Sequence, residues 1–488
     1  MASIRIRLAQ VFGVDLRSLA VLRIGLGIAV LLTLSSYARD YRDLIGEGGV
    51  ISLDVAYGMA GPEIDPFMAP FRLAPGLFAP VLRIVLVALA LALTFGCYTR
   101  LACAGCWYGL YCLQVRNPVI GDYSDDVVLR ILFWSIFLPL GARFSLAARR
   151  AGTPARVASP YLSVASAALL IQVASIYLVA GFKKTGPDWQ QEDTAIRYVM
   201  ENHFRGTPLS AWLLDFPSLM TLAAWITPGF EIAIGLALFV PVATAAVRTL
   251  AVGLIIGFHQ TLGLFILLGV APFVSSVTAL GLLPGAFWDR LTLRRRAAAA
   301  SGQSASAEPL ASGGKNGLRV AGQLLLAAPV LVMLIYDGLE ISNTKQLLTK
   351  PVHWLGETLR VTQQWDMFSP SPAHFDGWFI APGVLASGAT VDVLRGGAAL
   401  STQPPEKLPW IGEAYRMGIF HEAVRNHLAV LGTDYGRWLC RHWNHEHAGD
   451  ERLESFEFVW MNVDLSQGVR SEPKRIWLIR RRCDPLAD

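Results

Sequence analysis

Residues 163–189 read SVASAALLIQVASIYLVAGFKKTGPDW. The first twenty, residues 163–182, carry no charge, and Lys183 and Lys184 follow at once. At 1.5 Å per residue, twenty helical residues span about 30 Å, the thickness of a bilayer's hydrocarbon core. The stretch therefore reads as a membrane helix. Lysine at such an end is ordinarily a tether to the headgroups. Two lysines followed by Thr185, Gly186, Pro187, Asp188 and Trp189 make a rigid polar corner instead, and that corner raises a question of chemistry.

The rest of the chain agrees with a membrane setting. Of 488 residues, 53% are hydrophobic and 16% charged, against about 25% charged in soluble domains. Apolar runs near 18–36, 77–96, 101–116, 127–141, 161–182, 219–241, 249–269, 271–287 and 318–336 predict an all-α polytopic bundle of eight or nine spans. The first run, from Leu19 to Leu34, is long and lacks a small-residue cleavage site, so it reads as an uncleaved helix.

Basic residues set an expected orientation. Arg5, Arg7 and Arg17 precede the first span, and loop 142–160 holds Arg143, Arg149, Arg150 and Arg156 with no acid. Segment 289–319 adds Arg290, Arg294, Arg295, Arg296, Lys315 and Arg319 against Asp289 and Glu308. Placing these inside puts the N-terminus in the cytoplasm, and the Lys183–Lys184 corner and everything after residue 337 outside. The expected organisation is a transmembrane domain over 1–290, a flexible cytoplasmic linker over 291–317, a last span at 318–336 and an extracytoplasmic α+β domain over 337–488. The expected location is the cell (inner) membrane, with the lipid bilayer as the first partner. The net charge of +5 is accounted for by the loops and calls for no nucleic-acid partner.

Ionisable side chains inside spans cost at least about 2.5–3.5 kcal/mol each at the bilayer centre. Arg23, Arg83, Arg130, Glu231 and His259 stand out. One reading is mutual pairing or snorkelling that fixes helix packing. The other is a polar cavity for a small polar or quinone-like ligand, with Glu231 and His259 on neighbouring antiparallel helices.

Spacing narrows the choice. In HQTLGLFILLGVAP, His259 precedes Gly269 by ten residues and Pro272 by thirteen; in PGFEIAIGLALF, Glu231 stands four before Gly235; in VLRIGLG, Arg23 stands four before Gly27. Together with AGFKKTGPDW and the later QQWDMF, this order resembles the vitamin K-dependent γ-glutamyl carboxylases and their bacterial relatives, the HTTM (horizontally transferred transmembrane domain) proteins. The resemblance covers about residues 15–290 and a short stretch at 364–368. It implies that Lys184 is the base that deprotonates a reduced, vitamin K-like quinone, with Lys183, Asp188, Trp189, Arg23, Glu231, His259 and Asp122 around the ligand. A lysine is a base only when neutral, and burial or a neighbouring ammonium favours that form. In one place the chain departs from the carboxylases. They carry an Asn-His pair before the fourth helix, where this chain has Gly121 and Asp122. That departure removes the carboxylases' Asn-His pair and leaves the cavity and Lys184 in place.

The implied function is modification of a peptide or protein side chain at the outer membrane face. The alternative is a non-catalytic membrane partner in maturation or export of a secreted peptide. No metal is expected: His421, His427, His442, His445 and His447 lack companion ligands at standard spacing. Cys97, Cys103, Cys106 and Cys112 read as buried apolar residues, whereas Cys440 and Cys483 pair if their domain is exported. Trp365, Met367 and Phe368 read as packing residues.

Overall fold

The computed structural model describes residues 2–61, 64–150, 159–202, 204–298, 316–404, 415–466, 468 and 470–484. Among them six helical stretches are long and apolar enough to cross a membrane: Leu16–Ser36, Phe78–Phe95, Val164–Lys183, Pro217–Ala237, Thr244–Phe265 and Ala321–Ile341. A seventh span results if Ala271–Leu280 and Gly285–Thr292, bent by 85°, count as one. This is fewer than the eight or nine expected, for a physical reason. Helix Tyr123–Ser135 has only 13 residues, about 20 Å by its rise, and every side chain from Val127 to Ser135 is buried. At that length it does not reach across the hydrocarbon core by itself. Thr99–Arg116 has 18 residues but is interrupted by Arg100 and Gln114 and ends on Arg116.

Val164–Lys183 is the most buried of the spans. Ser163 starts it with a reciprocal capping box to Ser166. Two glycines then set its partner. A Cβ on Gly235 would sit 2.8 Å from Leu178, and one on Gly181 would sit 2.8 Å from Ile232 and 2.9 Å from the Pro228 carbonyl. Only glycine permits this approach, so the end of Val164–Lys183 lies directly against the stretch of Pro217–Ala237 that carries Glu231.

Helix Gly285–Ala298 runs into the start of the expected linker, and the remainder of that linker, 299–315, lies outside the described residues. After helix Asn316–Ile341 the chain returns to the bundle. Gln363 donates to Asp337 at 2.6 Å and accepts from Gln172 and from Trp365, and Asp337 accepts from Ser175 at 2.5 Å. Arg130 donates to the Thr362 carbonyl at 2.8 Å. These bonds seat segment 361–368 in the mouth of the bundle.

Beyond it lies the α+β unit expected after residue 337. Strand β4 (Leu453–Asp464) is the spine of an antiparallel sheet. One edge pairs with β1 (Phe375–Ile380) and β2 (Pro382–Leu385), and the other with β5 (Lys474–Arg482). The short β3 (Thr390–Asp392) pairs with β2. Helices Tyr415–Asn426 and Leu428–Glu446 cover the sheet through Phe420, Tyr435 and Phe458. Arg416, fully buried, fixes this unit to the bundle: it binds both oxygens of Asp125, the Ile120 carbonyl and the Ser36 hydroxyl, over the Tyr37 ring.

Cys440 and Cys483 are joined in a disulfide, Cα to Cα 5.4 Å. Closing a loop of 43 residues restricts the unfolded chain by about 4 kcal/mol in the loop-entropy model. Reduction is therefore expected to lower the unfolding midpoint of the C-terminal unit in a urea titration. An unchanged midpoint, with both thiols shown free by alkylation, would refute that contribution.

Candidate functional site

The twin lysines diverge. Lys183, the last residue of its helix, ion-pairs with the fully buried Glu340, which also takes Lys345. Lys184, the C-cap, turns inward and is 4% exposed. Its Nζ lies 2.7 Å from Glu231 Oε2, 3.3 Å from the Ala180 carbonyl and 5.4 Å over the Trp189 ring. Lys183 also lies 3.9 Å from Asp366 Oδ2, and it is not among the residues lining the cavity behind Lys184. Its ammonium is spent on holding the end of Asn316–Ile341.

Proline at the first turn and Gly186 before it shape the short helix Pro187–Gln190, which places Asp188 and Trp189 on opposite duties. Trp189 Nε1 donates to the Phe368 carbonyl at 2.9 Å, and the Gly186 amide to Pro370 at 2.9 Å. Asp188 is fully buried and receives Thr194 Oγ1 at 2.8 Å and His374 Nε2 at 3.0 Å. Burial opposes its ionisation, but the hydrogen bonds prevail and hold the carboxyl below the ordinary aspartate range. The corner is thus stitched to segment 366–374 on both sides.

Behind Lys184 is an apolar-walled cavity. Its polar groups are Lys184, Glu231, Tyr177, His259, Tyr123 and Thr227; Trp189, Trp365, Met367 and Phe368 supply aromatic and thioether surface. Tyr177 Oη and His259 Nε2 are 3.1 Å apart, and Tyr123 Oη lies 3.2 Å from Ser275 Oγ. Lysine and carboxylate meet in one part of the wall, a tyrosine and imidazole in another. Glu231 and His259, read from spacing, and Lys184, given by the resemblance, line one cavity, with Trp189 beside them.

Other candidates sit elsewhere. Arg23 is fully buried and donates to the carbonyls of Leu93, Thr94 and Phe144 at 2.6–2.8 Å. It neutralises the carbonyl end of Phe78–Phe95. Asp122 is the N-cap of Tyr123–Ser135, accepting from Ser124 and Asp125, and lies outside the cavity wall. Arg83 stacks on Tyr41. His442 and His447 stack on Trp438 and Trp443, and His421 bonds Tyr435 Oη at 2.8 Å.

Sequence reasoning passed over Tyr177, Tyr123 and His374. Tyr177 had a usable signal, since it stands seven residues before Lys184 and so on the same helical face. Tyr123 and His374 had none, as their partners lie on other elements.

A family model described as the HTTM domain matches residues 13–283. The chain belongs to the HTTM family. It is a multi-pass membrane protein, and no curated protein and no solved structure matches it. The HTTM match contains Lys184, Glu231, His259, Tyr177 and Tyr123. Trp365, Met367 and Phe368, which complete the cavity, lie beyond it.

Proposed function

We propose that this HTTM protein binds a reduced quinone in the cavity and uses Lys184 to deprotonate it, driving modification of a peptide or protein side chain at the extracytoplasmic face. The observation that carries this reading is a buried lysine in an apolar-walled cavity, paired with a carboxylate and shared with a Tyr177–His259 donor–acceptor pair. Such a pocket suits a flat apolar ring with hydroxyl groups: aromatic walls cover the ring and the polar groups bind oxygens. A quinol bound there would supply reducing equivalents to dioxygen and, once oxygenated, a strong base. The protein's share is to hold the ring, exclude water through Trp189, Trp365 and Phe368, and move a proton at Lys184 Nζ. The implied kinship with the γ-glutamyl carboxylases enters here as the source of the reaction class.

Room for a peptide adjoins the cavity. Val199 and Phe368 line both the cavity and a cleft of ≈ 280 Å³ whose other walls include Arg205, Glu422 and Arg425. A side chain presented from that cleft would reach the Lys184 cavity past Phe368.

The reading needs the corner and the C-terminal unit outside the cell. The basic segments 142–160 and 289–319 support that orientation, and the Cys440–Cys483 disulfide supports an oxidising compartment for the C-terminal unit. In a Cys97→Ser background with intact cells, an impermeant maleimide is expected to label Ala448→Cys and to leave Ser304→Cys unlabelled until the cells are opened. The reverse pattern would overturn the orientation.

A further inference from the structure

Lys184 faces a difficulty in the position the fold gives it. A base must have a free lone pair, yet its Nζ is within 2.7 Å of Glu231 Oε2 and 3.3 Å of the Ala180 carbonyl. Both contacts are acceptors, so the nitrogen donates to each, and read as the ion pair its geometry describes, the contact makes Lys184 the ammonium and Glu231 the carboxylate. An ammonium with its charge balanced by a carboxylate cannot take a proton until it has given one up.

The same contact offers the way out. Glu231 is 6% exposed and lines the cavity beside Lys184. It has no second cation within ion-pair distance among the described residues. An ion pair removed from water has little advantage over its neutral amine–acid form, because desolvation of both charges offsets their attraction. The other titratable groups lining the cavity are Tyr123 and Tyr177, from Tyr123–Ser135 and Val164–Lys183, and His259 from Thr244–Phe265. Tyr177 and His259 hydrogen-bond each other, and Tyr123 bonds Ser275. Glu231 is therefore the acceptor in contact with Lys184.

We propose that Glu231 is the terminal proton acceptor of a relay in which Lys184 Nζ passes one proton to Glu231 Oε2 while taking another from a hydroxyl bound in the cavity. This deepens the reading of the cavity given above and rests on it. The balance is complete: the hydroxyl becomes an oxyanion, Lys184 ends as the ammonium it was, and Glu231 goes from carboxylate to carboxylic acid. The regenerated ammonium then lies against the new oxyanion and stabilises it, which a neutral lysine base working alone would achieve only by keeping the proton it had taken. Glu231 in this scheme is a positioning and proton-accepting residue that acts through Lys184.

The relay can be read without any redox chemistry, using 1-naphthol, whose anion absorbs at longer wavelength than the neutral molecule. With the full-length protein in detergent near pH 7, naphthol is expected to bind wild type as the anion. Difference infrared spectra should show a new protonated-carboxyl C=O stretch on binding. In Glu231→Gln the bound naphthol should be at least about tenfold less ionised, should regain ionisation only as pH rises, and should give no carboxyl band. The proposal is overturned if Glu231→Gln ionises naphthol as fully as wild type, or if the carboxyl band persists in it. Should that variant fail to fold, the wild type decides alone: bound neutral naphthol, or naphtholate without a new carboxyl band, overturns the relay. Failure of wild type to bind naphthol at all would remove the reading of the cavity, and the relay with it.

Discussion

Lys184→Arg is expected to reduce oxidation of an added reduced naphthoquinone by dioxygen at least about 100-fold, the scale of a lost acid–base group. Arginine keeps the positive charge and can still pair with Glu231, so folding should be preserved. Its guanidinium does not release a proton near neutral pH, and the step at Nζ stops. Lys183→Arg is the matched control. It pairs with Glu340 and Asp366 and is not among the residues lining the cavity, so turnover should change less than about threefold, a cost within about 0.7 kcal/mol. Oxygen uptake by purified protein at equal folded concentration measures both. Equal turnover in wild type and Lys184→Arg would end the catalytic assignment and leave the cavity as a binding site in a partner protein.

The second large effect concerns Arg416. Its guanidinium carries the attachment of the C-terminal unit, bonding Asp125, Ile120 and Ser36 from complete burial. Arg416→Met keeps much of the volume but leaves the Asp125 carboxylate buried and unpaired, at a cost of about 3–5 kcal/mol. The expected readout is loss of hydrogen-exchange protection in segment 361–374 and faster proteolysis between the bundle and β1. Unchanged protection there would show that the attachment lies elsewhere.

The parts of this molecule that were legible in its sequence are those whose signal is local. The span at 161–182 was placed within a few residues because an unbroken apolar run has few alternatives. Glu231 and His259 could be grouped because each is an expensive charge at depth on neighbouring helices, and Lys184 joined them through the resemblance to the carboxylases. The α+β character of the C-terminal unit showed in alternation at 453–464. What could not be read was pairing over long distances. Asp122 resembles a cavity acid from its place in the loop, yet it caps its own helix and lies 3.9 Å from Arg416, nearly three hundred residues away. Arg248, buried against the carbonyls of Gly13 and Leu238, gave no hint of its role as a cap. The number of spans was not legible, because burial in protein and burial in lipid select the same side chains.

The cavity's far wall carries a consequence for how this domain can be used. Trp365 and Phe368 come from residues after the last span and wall the same cavity as Trp189, whose indole donates to the Phe368 carbonyl, so part of the chamber's dryness is supplied from outside the HTTM match. A chain cut after Ala298 would keep every residue of the lysine–glutamate pair and still expose the pair to water. There, attraction between two charges a few ångströms apart falls to on the order of 1 kcal/mol, and bulk solvent becomes a competing proton donor and acceptor. The excised helices would be a correct scaffold around a flooded chamber.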